Sequence, residues 1–249
     1  MRFTHSLFCL SLLLLLVVAQ EPAPAPSPDL PFYKKLAEAN KATIEKNFTK
    51  ALALLEEAEK LKPNTVEASS LKGSIYLGQK EFEKAHEIFL KNATLLPDNI
   101  GAQYNLAESE FVKGDLSAAR EKLSKLLEIV KATPKDKMNT LPWGDATADF
   151  FTYKIYLTYI FEGNLIEGKK MLDKFDPYAI TPLYYFGCSA MEFGNKNNIK
   201  ALEWIGSAAK IYNPLLIDLF SNAMFDKGWI RKGAKPGEIT TDIAPADKK

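Results

Sequence analysis

The sequence predicts an all-α protein, a solenoid of about five antiparallel helix pairs closed by a C-terminal capping helix. Three observations carry this expectation. The chain matches itself when slid along by 34 residues: Ala51, Ala85 and Ala119 fall into register, as do Phe48, Phe82 and Leu116, and Leu55, Phe89 and Leu123. Small residues recur with the same period at Ala39, Gly73 and Ala107, and prolines at Pro63 and Pro97. Within a period, apolar residues at helical spacing stand on either side of a turn signal such as Gly78-Gln79-Lys80-Glu81 or Gly114-Asp115. A fixed period of this length marks a stacked array in which each unit buries its apolar face on its neighbours.

Taken in order, residues 1–19 (MRFTHSLFCLSLLLLLVVA) place one arginine before an apolar run from Leu7 to Ala19 that ends in Val17-x-Ala19. That is the order of a secretory signal peptide, and the run is shorter than the roughly 18 residues a bilayer crossing needs. The expectation is an exported protein, periplasmic or secreted, cleaved near Ala19. Cys9 sits in the middle of the run and is not read as a lipid attachment site. Residues 20–31 hold five prolines and form an extended spacer.

The first unit, 32–65, has helices near 32–46 and 48–61 and stops at Pro63. Leu52, Leu55 and Leu61 supply its apolar stripe, and Ala51 and Ala58 are small where helices cross. The second unit is 66–99 and the third 100–131, with Ala107 for close approach. The period then breaks: the equivalent of Ala119 falls at Gly168, 49 residues on. The surplus lies in 132–148, a loop with Met138 and Trp143 that either carries function or spaces two helix pairs while Trp143 covers a core edge. In the fourth unit, 149–181, Tyr156 stands where the second unit has Gly73, which predicts a wider helix pair. The fifth, 182–213, buries Ala201, Ile205 and Ala208. Asn213-Pro214 reads as a helix N-cap and first residue, opening a capping helix, 214–228, that is apolar on more than one face. With Trp229 and Ile230 beyond it, leftover apolar surface is expected there for self-association or a partner. The polar tail 231–249 is expected to be disordered.

Composition narrows the partners. Removing Arg2 from 32 basic residues leaves 31 against 31 acidic ones, with no electrostatic footprint for nucleic acid or anionic lipid. Cys188 is the one thiol left after processing, too few for an internal disulfide or a cysteine metal site, and its apolar neighbours mark it as a core residue. After processing, His86 has no second histidine, and it has no orienting partner in pattern. No phosphate-binding, nucleophile-elbow or dinucleotide motif is present. The reading is therefore of a non-enzyme without cofactor or metal. Asn47 and Asn92 match the N-glycosylation acceptor pattern, with Asn47 looking structural beside Phe48.

The series Gly73-x2-Tyr76, Ala85-x3-Phe89, Pro97 resembles the tetratricopeptide repeat, a helix–turn–helix unit, over residues 32 to about 131. The resemblance implies a right-handed α-solenoid whose first helices line a concave groove for an extended peptide or partner helix. Carried over by register, the candidate partner-binding residues are Ser70, Ser74 and Leu77, then Tyr104, Asn105, Glu108 and Phe111, then Phe150, Tyr153, Leu157 and Phe161. A carboxylate-gripping subset of that family uses two asparagines and three basic residues. Of Ser70, Ser74, Asn105, Phe150 and Lys154 only two fit, so no such clamp is expected. The function implied is an exported scaffold binding a protein or peptide. The alternatives are a membrane-tethered envelope component with an uncleaved anchor, and a non-catalytic accessory subunit of an enzyme.

Overall fold

The computed structural model describes residues 29–232 and 239–240. The signal-peptide segment, the spacer up to residue 28 and most of the predicted tail lie outside the described residues. Five helix pairs follow one another: α1 (Leu30–Ile44) with α2 (Phe48–Leu61), α3 (Val66–Gly78) with α4 (Phe82–Leu95), α5 (Ile100–Lys113) with α6 (Leu116–Ala132), α7 (Thr147–Phe161) with α8 (Leu165–Leu172), and α9 (Leu183–Gly194) with α10 (Asn198–Ala209). A further helix, α11 (Pro214–Asp226), closes the helical body. The chain is an all-helical solenoid, apart from a two-residue antiparallel pairing of Arg231–Lys232 with Ile239–Thr240. That pairing replaces the expected disorder at those four positions.

Local chemistry sets the helix ends. An N-terminal turn leaves backbone N–H groups without carbonyl partners, and a side-chain oxygen one position ahead can accept from one of them. Asn47 accepts from Lys50 N at 3.2 Å, Thr65 from Ala68 N at 3.2 Å, and Asn99 from Ala102 N at 2.8 Å. Asn164 and Asn213 do the same for α8 and α11, the latter with Pro214 at the first helical position. Gly114 ends α5 in a left-handed conformation with φ 92°, which a residue without Cβ adopts at no steric cost.

Packing follows the 34-residue register. Ala51, Ala85, Ala119 and Ala201 are fully buried, and Gly168, the equivalent of Ala119 across the insertion, is buried too. Gly73 meets the ring of Phe89 on α4, and Leu55 and Leu123 take the place of Phe89 in the flanking units. Consecutive first helices touch, α1 with α3, α3 with α5 and α7 with α9, whereas consecutive second helices share no comparable contact. The row of first helices is therefore the inner side of the array.

The 132–148 segment forms two 3-10 turns, Lys135–Thr140 and Gly144–Ala146, and α7 begins at Thr147, inside the segment read as insertion. Trp143 lies edge-on to Tyr104 at 4.9 Å and to Phe150 at 4.6 Å, covering the start of α7. Tyr156 is fully buried and donates its hydroxyl to the Gly187 carbonyl at 2.7 Å, tying α7 to α9. Its partner α8 is only 8 residues long. The short helix leaves an outer cleft of about 640 Å3 walled by Leu165, Leu172, Cys188, Met191 and Trp204.

Candidate binding surface

The inner side divides into two halves with different chemistry. In the first three units it carries polar side chains from α3 and α5. Ser74 is exposed, its hydroxyl donating back to the Ser70 carbonyl at 3.1 Å. Asn105 is half-buried, and its amide makes no hydrogen bond among the described residues. Ser70 differs from the expectation: its Oγ accepts from Asn92 Nδ2 at 3.1 Å, while Asn92 Oδ1 accepts from Ser69 at 2.8 Å. Asn92 is 2% exposed, so its amide is a tie between α3 and α4, and Ser70 belongs to that tie rather than to a ligand surface.

Tyr104, Glu108 and Phe111 also differ from the expectation, because they form one knot that joins α5 to α7. The Tyr104 ring stacks on Phe151 at 5.6 Å, and its hydroxyl donates to Glu108 Oε2 at 2.9 Å. Burial, and then the neighbouring Glu108 charge, push that phenol well above the usual range. Lys154 reaches Glu108 at 2.8 Å and lies 3.6 Å from the Phe111 ring centroid. A lysine 2% exposed needs such partners, since an unpaired ammonium in this position would cost several kcal/mol. Phe111 and the Tyr104 ring are thus core, and Glu108 is held by Lys154 rather than offered to a ligand. The residue whose charge would have suited a carboxylate clamp, Lys154, is already matched.

In the fourth and fifth units the inner side is apolar and covered. Tyr153 and Leu157 are fully buried, as is Phe150 at 4% exposure, which corrects their assignment to an open groove. The cover is α11. Phe220 sits 5.7 Å from Phe150, 5.2 Å from Tyr153 and 6.1 Å from Phe186. Trp229 sits 5.1 Å from Phe161 and 5.0 Å from Phe193. Ile217, Met224 and Ile230 are buried with them, so most of the apolar surface expected to remain at the C-terminal helix faces inward, while Leu215 stays exposed at its start. Sequence reading missed this placement, although the apolar residues on more than one face of α11, continued by Trp229, were its visible signal.

His86 and Cys188 are both held within the fold. Ser109 donates to the Leu106 carbonyl at 2.7 Å, so its oxygen is the acceptor for His86 Nδ1 at 3.0 Å. The Cys188 thiol is buried and pushed up by desolvation, the opposite of an activated thiolate. Among the described residues no three His, Cys, Asp or Glu side chains gather as a metal site, and no helix is long and apolar enough to cross a membrane.

No protein-family model and no curated protein sequence matches the chain. Solved structures share its architecture. A tetratricopeptide repeat protein from Parabacteroides merdae is 15% identical, with 82% of this chain and 77% of that one covered and a TM-score of 0.54. PilF from Pseudomonas aeruginosa is 12% identical, covering 81% and 88% with a TM-score of 0.53. TTC0263, a tetratricopeptide repeat protein of Thermus thermophilus, is 18% identical, covering 78% and 99% at 0.51. At such identities the likeness shows the fold alone, a tetratricopeptide-repeat-like helical array.

Proposed function

Starting from a tetratricopeptide-repeat-like solenoid, we propose that this chain is an exported protein–protein interaction scaffold that holds a peptide or partner segment on the inner side of its first three units. The observation that carries the reading is the contrast within one surface. The inner side of units four and five is filled by the chain itself, whereas between α3 and α5 Ser74 is exposed and the Asn105 amide has no partner among the described residues. A carboxamide both donates and accepts, which suits the alternating N–H and C=O groups of an extended peptide. Export rests on the charged, apolar and small-residue order of residues 1–19.

The test is cross-linked capture from the native host's envelope and medium, with the chain from Gln20 onward as bait beside a Ser74→Arg, Asn105→Arg double variant. Helical circular dichroism of the variant is checked beside the parent before capture. Capture of the same partner by both baits would refute the inner-side placement, and loss with the folded variant supports it. A mature N-terminus at Gln20, read by mass spectrometry of the host protein, supports export with cleavage, and an intact Met1 would replace it with the membrane-tethered alternative.

A further inference from the structure

We propose that the edge of the array where one unit connects to the next is a bilayer-contacting surface, seated among lipid headgroups through a row of exposed apolar side chains. The 34-residue register carries the row. Leu61, Leu95 and Ile129 stand one period apart in the last turns of α2, α4 and α6. Carried past the insertion by the 49 residues that separate Ala119 from Gly168, the position falls at Tyr178, and by the 33 from Gly168 to Ala201 it falls at Ile211. All five are at least 53% exposed, and Tyr178 is 92% exposed. A lone leucine on a surface needs no explanation, but the same place left apolar and in water in every unit marks a surface that is used.

Neighbouring residues extend the row without leaving the edge. Leu30 and Tyr33 are exposed in the first turn of α1, which the bond from Lys62 to Asp29 at 2.8 Å ties to the end of α2. Ile180 and Leu215 are exposed close after Tyr178 and Ile211, in connections that the Tyr212 hydroxyl joins by donating to the Ala179 carbonyl at 3.1 Å. At the opposite edge, where each pair turns, exposed large apolar side chains occur among the described residues in units one, four and five alone, at Ile44, Ile166 and Ile199. Two arguments choose the occupant. The chain enters α1 from this edge, and the apolar run Leu7–Ala19 ends ten residues before Asp29, so a run that carries the chain to a bilayer presents this edge to it. Lysines also stand by the row: Lys91 and Lys174 four residues before Leu95 and Tyr178, and Lys210 next to Ile211. All three are exposed and make no ion pair among the described residues. Their stems can lie along the acyl boundary while the ammonium groups reach lipid phosphates. A second copy fits less well, because a single file of side chains falls short of the roughly 20–30 residues a side of a stable protein interface.

The inference takes from the proposed function only that residues 1–19 deliver the chain to a membrane, and its test leaves them out. The chain from Gln20 onward is floated with vesicles of phosphatidylcholine and phosphatidylglycerol in equal parts. Two variants each remove part of the row, so that one suffices where the other folds poorly. The first carries Leu61→Ser, Leu95→Ser and Ile129→Ser, and the second Tyr178→Ser, Ile180→Ser and Ile211→Ser. A control for the opposite edge carries Ile44→Ser, Ile166→Ser and Ile199→Ser, and circular dichroism selects the folded chains. The parent and the control are expected to float alike. A folded row variant is expected to bind at least about tenfold more weakly, since it withdraws three side chains from the apolar boundary. A folded parent that stays in the buffer, row variants that float as well as the parent, or an equal loss in the control overturns the proposal. So does a parental dimer, seen by light scattering, that the row variants dissociate and that does not float, which makes a second copy the occupant. None of these substitutions changes Ser74 or Asn105, so partner capture succeeds or fails separately, and the mature N-terminus tests export by itself.

Discussion

Replacing Gly73 by alanine would put a methyl carbon 2.5 Å from Cε1 and 2.6 Å from Cζ of Phe89. Unstrained carbons keep about 3.5–4.0 Å apart. The ring cannot swing away freely: Phe89 is 1% exposed and packed with Ala93, Leu106, Tyr76 and Leu77. Relief must come from an off-rotamer ring or from separating α3 and α4 by a fraction of that overlap, and overpacking of this kind costs roughly 1–3 kcal/mol. The substitution also removes a helical glycine, which favours the folded state by about 1 kcal/mol. The expected net effect is a loss of up to about 2 kcal/mol. Gly206 in α10 is the internal control, since an added Cβ there meets nothing within 4 Å. Gly206→Ala should therefore stabilise by about 0.5–1 kcal/mol through helix propensity alone. Urea melts followed by far-ultraviolet circular dichroism would read both, with midpoints shifting in opposite directions from the parent. A Gly73→Ala midpoint raised as far as that of Gly206→Ala would refute the close α3–α4 crossing on which the unit register depends.

Three further outcomes can be measured on the same protein. Lys154→Ala should destabilise by about 3 kcal/mol, because it strands the Glu108 carboxylate in a site where the two side chains are 3% and 19% exposed. The double change Lys154→Met with Glu108→Gln should cost less, since no charge is left unpaired and Tyr104 keeps an acceptor; equal loss in both would show that the ion pair is incidental. Asn92→Ala removes the bonds to Ser69 and Ser70 and should lower stability by roughly 1–3 kcal/mol, and an unchanged thermal midpoint would contradict the tie between α3 and α4. The third outcome concerns alkaline pH. Burial raises the phenol pKa of Tyr104, Tyr153 and Tyr156 above the value in the unfolded chain. The stability these groups confer is complete below a pH of about 10 and is lost as pH rises beyond it, because the unfolded chain releases the protons first. Phenolate absorbance should therefore appear for these three only together with loss of helical signal, and reversible ionisation of all the tyrosines in the folded chain would disprove their burial.

The division of the inner side has a structural cause. An array of this kind exposes the first helices of every pair, and the aromatic residues of α7 and α9 make that surface too apolar to leave in water. The chain answers by laying Phe220, Met224 and Trp229 over it. The polar surface around Ser74 and Asn105 needs no such cover.

Much of this was legible in the sequence because it depends on neighbours in the chain. Asn213 caps α11, Gly114 ends α5, and the recurrence of Ala51, Ala85 and Ala119 places the crossings. Each of these is a short-range backbone or packing requirement with its own residue preference. What the sequence left open was the partner of each exposed-looking face. Helical spacing shows that Tyr104, Glu108 and Phe111 share a side of α5, but not that Lys154, from another unit, would bind two of them. It shows that Phe150, Tyr153 and Leu157 line α7, but not that a ring some 70 residues later would seal them. Periodicity reports which residues point the same way, while what meets them is decided by chain closure over long separations, where only the assembled tertiary contacts choose between a groove and a core.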